Sequence, residues 1–317
     1  MISKTVRRYI WTLLAVSWVA AGVAIALGMR RTTEAVYLPF AASYMLLPAL
    51  ITLVFQRISG EDYFRNLGIS FRWNRWFVAA SLLPIAITFL ALALNIIVPG
   101  VSFSLTYEGL FAVVPEEQAR AAIEKFSSIH PALFLILQVV QSIIAGLTIN
   151  AFFAFGEELG WRGYLLRELS GVRFLPASLF VGFVWGLWHA PIIALGHNYP
   201  QHPIIGIGMM VLWCMLLSPP ITYITLKARS VIAAAVFHGT LNAIAGISYL
   251  YLIGGNDLTN GVTGVSGFAA LLLINAALFW RDQKSGEKIW SRPINFLDNS
   301  AEEDQSITRS RQGETER

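Results

Sequence analysis

The 317-residue chain is 56% hydrophobic and only 13% charged, about half the charged share of an ordinary soluble domain. That balance excludes a wholly water-soluble globule, and a single cysteine, Cys214, excludes an intrachain disulfide framework. The formal net charge of +4 would suit nucleic acid if the basic residues clustered, but their distribution reads as membrane topology, so no nucleic-acid partner is expected.

Windows of roughly 18 or more residues with few charges mark bilayer-crossing helices. Eight occur: 10–29, 35–55, 76–98, 132–156, 174–196, 203–226, 231–253 and 262–280. The apolar run of the first, about 20 residues, exceeds the 7–15 of a secretory signal, so it is read as a span. With both termini cytoplasmic, 19 of the 23 basic residues fall inside, leaving Arg30, Arg31, Arg120 and Lys125 outside. The expected fold class is therefore all-α, a polytopic transmembrane bundle of about eight spans with both ends cytoplasmic.

Between the third and fourth spans lies one long loop, 99–131, in which "PEEQARAAIEKF" carries a proline and two acids at a helix start. It predicts a short amphipathic helix on the outer surface, with a cap over the bundle as the alternative. Residues 281–317 are polar and are expected to be a disordered cytoplasmic tail. No internal repeat is visible, which speaks against an inverted-repeat transporter.

The fourth span runs without a turn signal into "FGEELGWRGYLL", and a continuous helix is expected to about Leu169. Glu157 then lies about 16 Å inside the helix end at the usual rise. Ionisable groups at that depth are costly and mark function by default. In the fifth span His189 falls about 22 Å from the cytoplasmic edge. Trp185 shares its face, and Gly182 and Gly186 form a GxxxG expected to serve helix packing. In the seventh, His238 and Asn242 are spaced i,i+4 and share a face about 10 and 16 Å deep. A lone membrane histidine is commonly structural; three polar clusters at intermediate depth, reached from the cytoplasmic side, point to one aqueous site. Cys214, in the sixth span, is read as a packing residue.

A carboxylate beside an imidazole can take a proton from water and make it a nucleophile. An imidazole N–H and an amide N–H one turn apart can aim at one developing oxyanion. Glu158 and Arg162, at i,i+4, suit an ion pair that leaves Glu157 free. No serine or cysteine nucleophile accompanies these clusters, so water attack is the simplest hydrolytic chemistry.

At these residues the sequence resembles the CPBP family of intramembrane endopeptidases, also called the CAAX protease and bacteriocin-processing or ABI family, which includes the Ras-converting prenyl-protein endopeptidases. The family pattern is E-E-x-x-x-R, then F-x-x-x-H, then H-x-x-x-N or H-x-x-x-D. "EELGWR" matches through Glu157, Glu158 and Arg162, "WGLWH" through His189 with Trp185 where phenylalanine is usual, and "HGTLN" through His238 and Asn242. The resemblance covers roughly residues 130–250. It implies an intramembrane peptide hydrolase in which Glu157 and His189 activate water and His238 and Asn242 form the oxyanion site, with Glu158, Arg162 and Trp185 in support. It also leaves open zinc on Glu157, His189 and His238. The H-E-x-x-H spacing of common zinc proteases is absent, so no cofactor is the favoured reading.

The implied organisation is membrane helices and outer loop over 1–130, a CPBP-like catalytic bundle over 131–253, a last span over 254–280 and the tail. The expected partners are a peptide or membrane-protein substrate and the lipid bilayer, and the expected location is a bacterial plasma membrane. A non-catalytic scaffold on the same fold and a proton-coupled transporter are the competing readings.

Overall fold

The structure, a computed structural model, describes residues 3–29, 34–60, 67–112, 114 and 116–295. Its helices are α1 (Lys4–Ala26), α2 (Glu34–Tyr44), α3 (Leu47–Ser59), α4 (Arg75–Asn95), α5 (Glu116–Ser127), α6 (Pro131–Leu147) and α7 (Ile149–Glu158). After a π-helical segment, Leu159–Leu165, and one α turn come α8 (Phe174–Trp188), α9 (Ala190–Ala194), α10 (Pro203–Ala228), α11 (Val231–Ile244), α12 (Ile247–Tyr251) and α13 (Val265–Ser285). The strands are β1 (Ser102–Phe103) and β2 (Leu252–Ile253), an antiparallel ribbon that ties the outer loop to the end of α12.

Among the described residues six helical stretches are long and apolar enough to cross a membrane: Lys4–Ala26, Ala35–Ser59, Arg75–Asn95, Pro203–Ala228, Val231–Tyr251 and Val265–Ser285. The other two expected spans are interrupted. The fourth divides at Thr148, whose backbone (φ −125°, ψ −107°) leaves the helical region between α6 and α7. The fifth breaks at His189 into α8 and the short α9, because Pro191 cannot donate the next-turn backbone bond. The helix expected to continue to Leu169 changes instead to π geometry directly after Glu158.

Helix α11 runs through the middle of the bundle against α4, α6 and α7. Gly239 permits its approach to α7, since a Cβ there would lie 2.7 Å from the Ala151 amide nitrogen. Gly182 and Gly186 serve the expected packing: Cβ atoms on them would meet the Cys214 carbonyl at 2.5 Å and Val211 Cα at 2.4 Å. Cys214 is fully buried at this α8–α10 contact and acts as a packing residue.

The two ends of the bundle are closed differently. At one end Phe174 N–H donates to the Arg292 carbonyl (3.0 Å) and Ile294 N–H to the Val172 carbonyl (2.8 Å). The expected disordered tail is thus corrected in part: α13 extends to Ser285, and Ile294 is buried. Residues 296–317 lie outside the described residues. At the opposite end Asp257 accepts from the Gln201 and His202 amides (2.6 and 3.2 Å) and meets His202 Nδ1 at 2.6 Å, while Tyr199 donates to the Thr263 carbonyl at 2.7 Å. The predicted amphipathic helix is α5; it turns by 107° into α6, and its Glu116–Arg120 pair is exposed.

Candidate active site

Glu157 and Glu158 are the last residues of α7 and are buried (2% and 0% exposed). The wider turn that follows is a π segment, a rare geometry that recurs at functional sites. Across it, Arg162 donates from one guanidinium nitrogen to both oxygens of Glu158 at 3.0 Å, as the spacing predicts. A second nitrogen reaches Ser218 Oγ on α10 at 3.1 Å, and the guanidinium lies 4.7 Å from the centre of the Trp185 ring. The pair is therefore locked to two other helices, as a buried ion pair requires for compensation.

Glu158 has a second role that the spacing did not reveal. His238, on α11, directs Nδ1 to Glu158 Oε1 at 2.9 Å. A carboxylate accepts, so Nδ1 is the protonated nitrogen and Nε2 is the atom left to meet a ligand. Arg162 and His238 thus share the Glu158 carboxylate.

Trp185 links the other two. Its indole N–H donates to Glu157 Oε2 at 2.7 Å, and its carbonyl accepts from His189 Nδ1 at 2.8 Å. His189 caps α8 and is 9% exposed; with Nδ1 donating to a carbonyl, Nε2 again remains for chemistry. The Trp185 ring also sits 5.8 Å from the His189 ring and 5.2 Å from that of His238. Tryptophan at this position is more than an aromatic wall, because phenylalanine has no donor to offer Glu157.

Glu157, Trp185, His189, His238 and Asn242 line one cavity of about 400 Å³. Asn242 is exposed, one turn beyond His238 on α11. Counted along straight helices these groups differ in depth by about 12 Å, yet the broken fourth and fifth spans bring them together. Tyr44, whose hydroxyl donates to the Trp188 carbonyl at 3.0 Å, and Trp188 complete one wall. They lie in apolar spans with no motif signal, as does Ser218.

One expectation is corrected. Access was placed at the basic, cytoplasmic end, but the cavity's loop-side lining is His197, Asn198 and Gly261 to Thr263. These belong to the end tied by Asp257 and Tyr199, opposite Arg173 and Lys227. None of residues 99–131 lines the cavity among those described, so α5 is a surface helix and not its cap.

Zinc on Glu157, His189 and His238 is the alternative at this site. Among the described residues no group of three or more His, Cys, Asp or Glu is placed to hold a metal ion. Glu157 Oε2 is occupied by the Trp185 indole, and both imidazoles turn Nδ1 toward protein acceptors. These bonds leave Glu157 Oε1 and both imidazole Nε2 atoms open, so they do not themselves bar a metal.

Fold and site together define an integral, multi-pass α-helical membrane protein with a carboxylate–imidazole cluster inside its bundle. Residues 126–244 are similar to the family described as type II CAAX prenyl endopeptidase Rce1-like, in keeping with the resemblance to the CPBP, or CAAX protease, family that the motifs carry. The CAAX prenyl protease 2 of Methanococcus maripaludis is 39% identical over 93 residues, 27% of this chain and 34% of that protein. The chain thus spans about a third of the length of this relative.

Proposed function

We propose that the protein is an intramembrane endopeptidase that hydrolyses a peptide bond with a water activated by Glu157 and His189. The observation that carries this reading is the placement of Glu157, His189, His238 and Asn242 on one cavity, each oriented by a separate hydrogen bond or helix face. Glu157 accepts the proton as the water oxygen attacks the peptide carbonyl carbon, and the carbonyl π electrons move to oxygen. His238 Nε2 and the Asn242 amide donate to that oxyanion. Collapse breaks the C–N bond, and the proton held by Glu157 passes to the departing amine.

The charges support this assignment. With Arg162 cationic and both glutamates ionised, a doubly protonated His238 brings the buried cluster to neutrality, which limits the desolvation cost of four ionisable groups. A non-catalytic scaffold would have no use for an unpaired imidazole edge and an exposed amide on the same cavity. The metal-free mechanism is favoured because, among the described residues, no three His, Cys, Asp or Glu side chains are grouped to hold a metal ion.

The substrate is proposed to be a peptide or the membrane-proximal segment of a membrane protein. If the basic-residue distribution orients the chain with both termini cytoplasmic, the loop-lined end of the cavity faces outward, and substrate enters from there. Asn198→Cys in a Cys214→Ser background tests the side of access: an impermeant maleimide should label it in intact cells, and labelling confined to inverted vesicles would reverse the assignment.

The activity itself is tested by comparing the membrane proteome and released peptides of cells carrying wild-type protein or Glu157→Gln. At least one polypeptide should accumulate uncut in the variant; identical profiles in producing cells would overturn the reading.

A further inference from the structure

We propose that the end of the bundle opposite the loop-lined cavity mouth carries a binding site for an anionic phospholipid, built by α4, α10 and α13 around Trp76. The Trp76 ring is ringed by three cations. The guanidinium carbons of Arg75 and Arg281 each lie 5.6 Å from its centre and Lys227 Nζ lies 4.9 Å away. Arg75 opens α4, Lys227 is in the last turn of α10, and Arg281 is in the last part of α13. The three helix ends therefore concentrate positive charge at one spot.

The nearby acids leave much of that charge uncompensated. Lys227 is paired with Glu287, and the buried Asp282 accepts from the Trp290 amide at 3.0 Å. Arg75 and Arg281, both exposed, enter no ion pair with a described residue; their contact is with the indole face. An exposed arginine pair with free N–H forks matches a phosphate, which accepts in that geometry.

Below the cations runs an apolar groove of about 350 Å³. Its α4 wall is formed by Ala79, Leu82, Leu83 and Ala86, which fall at i, i+3, i+4 and i+7 on one helix face, and Ile224 and Leu278 face them. From Arg75 to Ala86 the helix rises about 16 Å, close to half of a hydrocarbon core about 30 Å thick. All three helices span the membrane, so the groove opens to lipid. A phosphate at the cations places an acyl chain along the groove for the depth of one leaflet. Basic pockets between membrane helices favour anionic headgroups by this combination of charge and apolar surface.

Purified full-length protein in a nonionic detergent, titrated with dioleoyl phosphatidylglycerol or dioleoyl phosphatidylcholine, tests the site through lipid-adduct mass spectra and the thermal midpoint. Phosphatidylglycerol should bind saturably and raise the midpoint, and phosphatidylcholine should do neither. Arg75→Gln with Arg281→Gln should weaken binding roughly tenfold or more, the scale of two lost surface charges. Ala86→Trp should weaken it by filling the groove while leaving both arginines in place. Arg120→Gln, in the long loop, should leave it unchanged. Equal binding of the two lipids, or phosphatidylglycerol binding that survives Ala86→Trp, would overturn the proposal. A midpoint shift reproduced by inorganic phosphate alone would assign the cations to a free anion and equally reject the lipid.

Discussion

The indole N–H of Trp185 donates to Glu157 Oε2 at 2.7 Å, joining two broken spans at the carboxylate proposed to activate water. The same residue orients His189 through its backbone carbonyl. Trp185→Phe retains the carbonyl and the aromatic wall and removes only the donor. A hydrogen bond to a charged group contributes about 1.5–3 kcal/mol. The variant should lose roughly ten- to a hundred-fold in kcat with KM little changed. Full activity would reduce Trp185 to a packing residue.

Arg162→Ala should lower the folded yield in the membrane. The substitution leaves Glu158 buried beside His238 with its main counter-charge gone, and breaking such a pair typically costs about 3–5 kcal/mol. Arg162→Lys keeps the charge but cannot hold Glu158 and Ser218 with one planar fork. Its yield should fall between the two. A well-folded but inactive Arg162→Ala protein would instead move Arg162 into the chemistry.

Two variants separate the base from the oxyanion site. Glu157→Gln keeps the volume and the Trp185 contact but cannot accept the water proton, so turnover should vanish while substrate binding persists. Asn242→Ala should be milder, a hundred- to a thousand-fold in kcat, the usual scale for one lost oxyanion donor. Equal losses in both would contradict these separate roles, and single-turnover assays on purified protein would decide.

Chelator treatment should leave activity intact, and elemental analysis of active protein should find no stoichiometric zinc. Stoichiometric zinc together with chelator inhibition reversed by added zinc would overturn the metal-free mechanism and assign Glu157 and the Nε2 atoms of His189 and His238 to the metal.

Gly182→Leu should destabilise the bundle or block its assembly, since even a Cβ would stand 2.5 Å from the Cys214 carbonyl on α10. Gly208, with nothing within 4 Å of a built Cβ, should accept alanine without loss. The pair can be compared by thermal midpoint in detergent.

Much of the candidate site was legible because charged and imidazole side chains are expensive inside apolar spans, so Glu157, Glu158, Arg162, His189 and His238 stand out against their surroundings. The i,i+4 spacings also carried information: Glu158 with Arg162 and His238 with Asn242 share helix faces for local geometric reasons. Tyr44, Ser218 and Trp188 were not legible. Their polar atoms sit in ordinary apolar contexts and acquire partners only from helices far away in sequence.

Composition and the placement of rare polar residues thus determined, by themselves, a membrane-embedded helical bundle and the side chains of its candidate site. Only the tertiary structure decided how those side chains are used: that Glu158 serves both Arg162 and His238, that Trp185 holds Glu157, and that the cavity opens among the loops opposite the basic end. In a nearly uniform apolar helix, hydrophobic periodicity does not label which face meets which neighbour. That choice rests on glycine contacts, on the interruptions at Thr148 and His189, and on the π segment after Glu158, whose effects depend on the helices packed around them.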